Sequence, residues 1–273
     1  MGPDRARAWY VISLRPQGTH AALRQAAARY GAGLIALSPW KLVAREGADA
    51  REQLRQALQA DVVLFTSPAA VRFAAAMQPL AMRAHQAWIA TGSGTRAALA
   101  RHGIEAAIAP ERMDSEGLLA LPALSDLARR SVGLVTAPDG RGLLAPALQA
   151  RGAQLHLAQI YLRQPLPVSA TGLQRLRELK APAWVALTSA GALRQVLQQL
   201  PDEAQRALLA RPAVAASARL MAAATDAGFA QVVQAQGPRP AQLVRAGEAL
   251  LLSSCGVGRP AVAPRAPAPG NRP

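Results

Sequence analysis

The segment VVLFTSPAAVR at Val62–Arg72 returns as WVALTSAGALR at Trp184–Arg194, 122 positions later (184 − 62 = 122) and without a gap. Val63/Val185, Thr66/Thr188, Ser67/Ser189, Ala70/Ala192 and Arg72/Arg194 are identical. Self-similarity on this scale means a repeated structural unit. Two further pairs support it. IATGSGTRAALARHG at Ile89–Gly103 lines up with VAASARLMAAATDAG at Val214–Gly228, an offset of 125 (214 − 89 = 125). VISLRPQGTHAALRQAAARYGA at Val11–Ala32 lines up with GLVTAPDGRGLLAPALQARGA at Gly133–Ala153. Both members of that last pair read as strand, Pro-containing turn, helix, then Gly-Ala into the next strand. The chain is therefore an opener (β-α-β), a Thr-Ser unit (β-α-β-α-β), a second opener and a second Thr-Ser unit. Two similar domains follow, and either opener can pair with either Thr-Ser unit.

Short β-rich runs alternate with Ala/Leu/Arg helical stretches, which reads as parallel α/β layers. Strands are predicted at Trp9–Leu14, Leu34–Leu37, Asp61–Phe65, Ala87–Thr91, Ala106–Ala109, Ser131–Thr136, Gln154–Gln159, Ala183–Leu187, Ala213–Ala216 and Ala230–Gln234. Helices are predicted to start near Gly18, Asp49, Pro68, Ser93, Ser115, Gly140, Thr171, Ala190, Ser217 and Arg239. Gly31, Gly103, Gly152 and Gly228 sit where helices end, a place that suits glycine. Ser93, Ser115 and Ser217 suit helix N-caps. Residues 251–273 read as a disordered tail. The last 18 of them, GVGRPAVAPRAPAPGNRP, are too rich in Pro, Gly and Arg for a packed element.

Composition narrows the partners. The hydrophobic fraction is 51%, so the chain can bury a core, and no apolar run is long enough to span a membrane. The N-terminal apolar stretch Trp9–Leu14 is too short for a signal peptide. A single cysteine, Cys255, cannot form an intrachain disulfide, and a cytoplasmic protein is expected. The 31 Lys and Arg against 16 Asp and Glu give a net charge of +15, which points to an anionic partner. The arginines are scattered, aromatics are 4%, and no zinc-finger spacing or RNP motif is present. A small molecule with many carboxylates fits the charge as well as nucleic acid does.

The chemistry sits at strand-to-helix corners. Thr66-Ser67-Pro68 and Thr188-Ser189-Ala190 each fall where a strand ends and a helix begins. That is the carboxyl edge of a parallel sheet, where α/β ligands bind. Free helix N–H groups and hydroxyls there suit carboxylate or phosphate, although simple helix capping explains each corner taken alone. Two copies favour a cleft with one corner on each wall. Arg15-Pro16, Thr91–Thr95, Pro138–Gly142 and Ala216–Arg219 are equivalent corners. No GxGxxG follows the first strand, and no GxSxG or HExxH occurs. His20, His85, His102 and His156 lie far apart and read as surface residues. No metal and no nucleotide cofactor is expected.

Several of these stretches, in order over residues 9–245, resemble the uroporphyrinogen-III synthase family. They are Leu14-Arg15-Pro16, Phe65–Val71, Ser115–Leu118, Gly142–Gly152, Ile160–Arg163, Leu187-Thr188-Ser189 and Ser217-Ala218-Arg219. The chain departs from some relatives at Ala69 and Leu220. The resemblance implies two flavodoxin-like α/β domains joined by a two-segment hinge. One would be discontinuous, residues 8–39 with 166–250. The other would be 40–165, with crossing segments at Trp40–Arg45 and Ile160–Pro165. The implied reaction closes hydroxymethylbilane, a linear tetrapyrrole with eight carboxylates, to uroporphyrinogen III. Water is lost and the last pyrrole ring is inverted. Tyr161 matches the family's linker tyrosine and is the candidate for assisting hydroxyl departure, its other role being a packed aromatic. Arg15, Thr66, Ser67, Thr188, Ser189 and Ser217 would hold carboxylates. The resemblance also implies a monomer with transient contacts to neighbouring haem-pathway enzymes, and neither nucleic acid nor membrane as partner. A two-lobed module that binds an anionic small molecule without turnover is the alternative.

Overall fold

A computed structural model of the chain describes residues 8–112, 115–138 and 144–254. It divides into two compact units, one formed by the chain up to Pro39 together with the chain from Pro167 onward, the other by Trp40–Leu166.

The discontinuous unit begins with β1 (Tyr10–Ser13), α1 (Ala21–Ala28) and β2 (Gly33–Ala36). The continuous unit follows, with β3 (Trp40–Ala44), α2 (Ala48–Gln59), β4 (Val62–Phe65), α3 (Pro68–Met77), β5 (Ala87–Ala90), α4 (Ser93–Ala100) and α5 (Ser115–Leu119). After a 3₁₀ turn at Pro122–Leu124 come β6 (Ser131–Thr136), α6 (Leu144–Ala150), β7 (Gln154–Gln159) and β8 (Tyr161–Pro165). The chain then returns to the first unit with α7 (Ala170–Arg177), β9 (Ala183–Leu187), α8 (Ala190–Gln199), α9 (Asp202–Leu209), β10 (Ala213–Ala215), α10 (Ala218–Asp226), β11 (Val232–Gln234) and α11 (Pro240–Ser254).

The discontinuous unit is a parallel sheet in the order β11-β10-β9-β1-β2. Counted along its own chain from the β2 edge, this is 2-1-3-4-5, the flavodoxin-like order. The continuous unit is a parallel sheet in the order β5-β4-β6-β7. In both sheets an opener's first strand lies beside the first strand of a Thr-Ser unit. The first opener thus pairs with the second Thr-Ser unit, and the second opener with the first. The two sheets are circular permutants of one plan.

The strands are apolar runs buried on both faces, as helices on both sides of a parallel sheet require. VVLF of β4 and AWVAL of β9 are buried throughout. Trp184, Leu23, Leu34 and Val244 belong to one core of the discontinuous unit. Phe65, Trp88, Leu54 and Val71 belong to one core of the continuous unit, and Leu64, Leu118 and Leu148 to another. β3 and β8 stand apart as an antiparallel ladder, with Trp40 opposite Pro165 and Ala44 opposite Tyr161.

The structure corrects several sequence expectations. Ala106–Ala109 is not a strand but a single bridge, Ile108 against Ile89. α1 starts at Ala21 rather than near Gly18, because Gly18 has φ +79° in a turn that Thr19 closes by donating its N–H to the Pro16 carbonyl. α9 was not anticipated. Pro201 precedes it, and Asp202 and Glu203 occupy its first turn, which complements the helix dipole. α11 runs to Ser254, so Leu251–Ser253 are helical rather than tail, continuing the Leu-rich stretch before them. The remainder of that tail, residues 255–273, lies outside the described residues, as do most of the Pro138–Gly142 corner and the side chain of Ser115.

Candidate active site

In the continuous unit β4 delivers Thr66 and Ser67 to the carboxyl edge of its sheet. Ser67 is the N-cap of α3: its Oγ accepts from Ala70 N at 3.0 Å, and Pro68 fills the first helical position. The same oxygen lies 2.9 Å from Tyr161 Oη, and either hydroxyl can donate. Tyr161 opens β8 and is 4% exposed. Its ring stacks on Phe73 from the next turns of α3, with centroids 5.1 Å apart and planes at 9°. The β3–β8 ladder and the bond from Arg45 N to Ile160 O fix its backbone. Tyr161 is therefore both a packed aromatic and a hydroxyl presented at a helix N-terminus.

Thr66 faces inward. Its Oγ1 donates to Thr136 Oγ1 at 2.9 Å and lies 3.2 Å from Val135 O. Thr91 Oγ1 donates to the Thr66 carbonyl at 2.9 Å. These bonds tie the carboxyl ends of β6, β4 and β5 together, with Thr91 and Thr136 both buried.

The equivalent corner of the discontinuous unit is simpler. Ser189 caps α8, its Oγ accepting from Ala192 N at 3.2 Å. Ser217 caps α10, accepting from Leu220 N at 3.4 Å. Thr188 is half-buried, and no hydrogen bond involves its hydroxyl among the described residues. Arg15 follows β1; its Nε is buried without a hydrogen-bond partner, and burial pushes its pKa below the usual arginine value. Sequence reasoning missed Phe73 and Thr136, which carry no motif and meet the site only through the fold, while Thr91 opens a corner it had singled out. It also misplaced His20, which is 8% exposed and bonded to Ser13 and Ser38 rather than lying on the surface. Among the described residues no group of three or more His, Cys, Asp or Glu could hold a metal ion. No helix among them is long and apolar enough to cross a membrane.

The model of the uroporphyrinogen-III synthase HemD family matches residues 21–245, most of the chain. The chain belongs to the uroporphyrinogen-III synthase family. Its activity is that of a lyase-type cyclase in haem biosynthesis, forming uroporphyrinogen III. Solved structures agree on the fold. A mutant uroporphyrinogen III synthase of Thermus thermophilus matches at 20% identity and TM-score 0.60, over 90% of this chain and 100% of that one. Uroporphyrinogen-III synthetase from Helicobacter pylori matches at 14% identity and TM-score 0.55, over 90% of this chain and 99% of that one. At these identities the family carries the activity, and the side-chain roles rest on this chain's own geometry.

Proposed function

We propose that the protein closes hydroxymethylbilane to uroporphyrinogen III with Tyr161 as proton donor to the departing hydroxyl. The C–O bond of the terminal hydroxymethyl group breaks, its electron pair leaves on oxygen, and the proton from Tyr161 completes a water molecule. The pyrrole nitrogen stabilises the cation left behind. The chain then closes through the spiro route that inverts the last ring, and the proton expelled from the pyrrole carbon that forms the final bond restores the Tyr161 phenol. One observation carries this reading: Tyr161 Oη, 2.9 Å from Ser67 Oγ, stands at the N-terminus of α3. If Ser67 donates to the Tyr161 oxygen, the phenol proton is free for the substrate. The positive end of the helix then favours the phenolate that forms.

The rest of the task is orientation, because the free substrate also loses water and closes by itself to the uninverted isomer. Arg15, Thr188, Ser189 and Ser217 are assigned to the substrate's carboxylates, with backbone N–H groups of the corners alongside them. The uncommitted hydroxyl of Thr188 and the unpartnered Nε of Arg15 support that role. Thr66 and Ser67 were expected to do the same. Thr66 donates to Thr136 and Ser67 engages Tyr161, so we assign the Thr66 hydroxyl to shaping the corner and the Ser67 hydroxyl to acting through Tyr161. The reading includes a cytoplasmic monomer with two hinged domains. It takes its labile substrate by transient contact with the preceding enzyme of the pathway.

The test supplies fresh hydroxymethylbilane with and without the protein, oxidises the products and separates the uroporphyrin isomers. Mostly type III with protein against type I without supports the proposal. Type I at the uncatalysed rate in both, with folded protein, overturns it.

A further inference from the structure

The β1–α1 corner holds a buried group that the proposed reaction does not use. His20 Nδ1 lies 2.9 Å from Oγ of Ser13, the last and fully buried residue of β1. His20 Nε2 lies 2.8 Å from Oγ of Ser38, two residues beyond β2. One imidazole thus ties the carboxyl ends of two neighbouring strands to the first residue before α1. Arg15 stands at the other end of the same short turn. That turn is closed by Thr19, whose N–H and hydroxyl both donate to the Pro16 carbonyl.

A hydroxyl, an imidazole and a second hydroxyl in line have the order of nucleophile, base and orienter. The surrounding charges argue against that use. A general base must become imidazolium. Burial, then Arg24, then Arg15 push His20 down to about 4, so the ring stays neutral at pH 7 and takes a proton poorly. A neutral ring donates from one nitrogen and accepts at the other. Between two hydroxyls, each able to reciprocate, that makes a rigid strut. Its neutrality also avoids setting a second positive charge against Arg15.

We propose that His20 is a positioning residue for Arg15: the Ser13–His20–Ser38 strut fixes the Arg15–Thr19 turn and presents the guanidinium to a substrate carboxylate. This rests on the carboxylate-holding role of Arg15 proposed above. An arginine held in place before binding loses less freedom on binding.

Four variants test it: His20→Ala, Ser38→Ala, Arg15→Ala and the His20→Ala/Arg15→Ala double variant, each confirmed as folded by thermal unfolding. His20→Ala is expected to raise KM for hydroxymethylbilane about tenfold with kcat within about twofold, and to add less than about twofold in the Arg15→Ala background. Ser38→Ala keeps the ring and loses one anchor, and is expected to raise KM about threefold; it decides the matter if His20→Ala does not fold. Calorimetric titration with uroporphyrin III is expected to give the same order of affinities. It needs no turnover, so a wild type that makes no type III isomer removes the enzymatic reading while the coupling of His20 to Arg15 is still decided. A fall in kcat at unchanged KM overturns the proposal. So do effects of His20→Ala and Arg15→Ala that multiply, or equal uroporphyrin III titrations for wild type and Arg15→Ala.

Discussion

In the unit of Trp40–Leu166 the Thr-Ser corner is closed upon itself. Thr66 bonds Thr136, Thr91 bonds the Thr66 backbone, and Ser67 bonds Tyr161. In the discontinuous unit the corner of the same sequence is open: Ser189 only caps its helix, and Thr188 has no bond for its hydroxyl among the described residues. The same dipeptide on the same sheet plan thus has two uses. Where β8 brings an aromatic hydroxyl to the corner, the serine becomes that hydroxyl's partner. Where no such residue arrives, the serine remains a helix cap and the threonine hydroxyl is uncommitted among the described residues. Duplication supplied two copies of the scaffold, and the residues around each copy determined its chemistry.

The cores differ in the same way, and the largest expected effect tests that difference. Each unit has a glycine where a helix and its sheet come close. A Cβ at Gly133 of β6 would overlap the Ala57 carbonyl of α2, which is backbone and cannot turn aside. A Cβ at Gly247 of α11 would overlap the Trp184 indole, a fully buried side chain rather than backbone. Gly133→Ala is expected to cost about 3 kcal/mol in urea unfolding, and Gly247→Ala about 2. The reverse order would mean that the indole is the more rigid neighbour.

The two buried indoles sharpen the contrast. Trp88 Nε1 donates to Gln86 Oε1, while Gln86 Nε2 donates to the Leu58 and Ala60 carbonyls. Trp184 Nε1 is buried without a partner. Gln86→Leu leaves those groups of the continuous unit unpaired and is expected to cost about 2 kcal/mol by urea unfolding. A loss near zero would mean that water replaces the amide.

Acid should act on the units in different pH windows. His20 is held at about 4 when folded against 6.5 ordinarily, so between those values the unfolded chain binds a proton that the folded one does not. Stability therefore falls as pH drops through that window. Asp61, at the entry to β4, accepts from the N–H and hydroxyl of Ser131, and those bonds hold its carboxyl below the usual range. Its contribution is present above the ordinary carboxylate pKa and is lost only as pH falls below it. Unfolding followed across pH is expected to lose its slope between 6.5 and 4 in His20→Gln and to keep it in Asp61→Asn.

The paired sheets were legible because each Thr-Ser unit repeats residue types whose spacing survives divergence. Val63 and Val185 mark buried strands, Ser67 and Ser189 mark helix starts. Ile108 shows the limit: the Ala106–Ala109 run looks like β11 in the other unit yet forms one bridge, because pairing depends on a neighbour that local pattern does not encode. The candidate site was legible to the same degree. Tyr161 and Ser67 could be nominated singly, but the contact between them joins positions 94 residues apart, and only the β3–β8 ladder and α3 bring them together. His20 was misread because a lone histidine near a turn carries no mark of burial. Its partners Ser13 and Ser38 belong to two different strand ends.

The most direct test is a double-mutant cycle on the rate of type III formation, with Ser189→Ala as control. Tyr161→Phe is expected to lower kcat about a hundredfold. Ser67→Ala is expected to lower it about tenfold alone and less than about twofold in the Tyr161→Phe background, whereas Ser189→Ala, at a serine assigned to binding, is expected to raise KM and to leave kcat within about twofold. Ser67 would then act through Tyr161, and the closed corner would be the acid-bearing one. Full multiplication of the Ser67→Ala and Tyr161→Phe effects, or an equal loss of kcat in Ser189→Ala, would contradict the account.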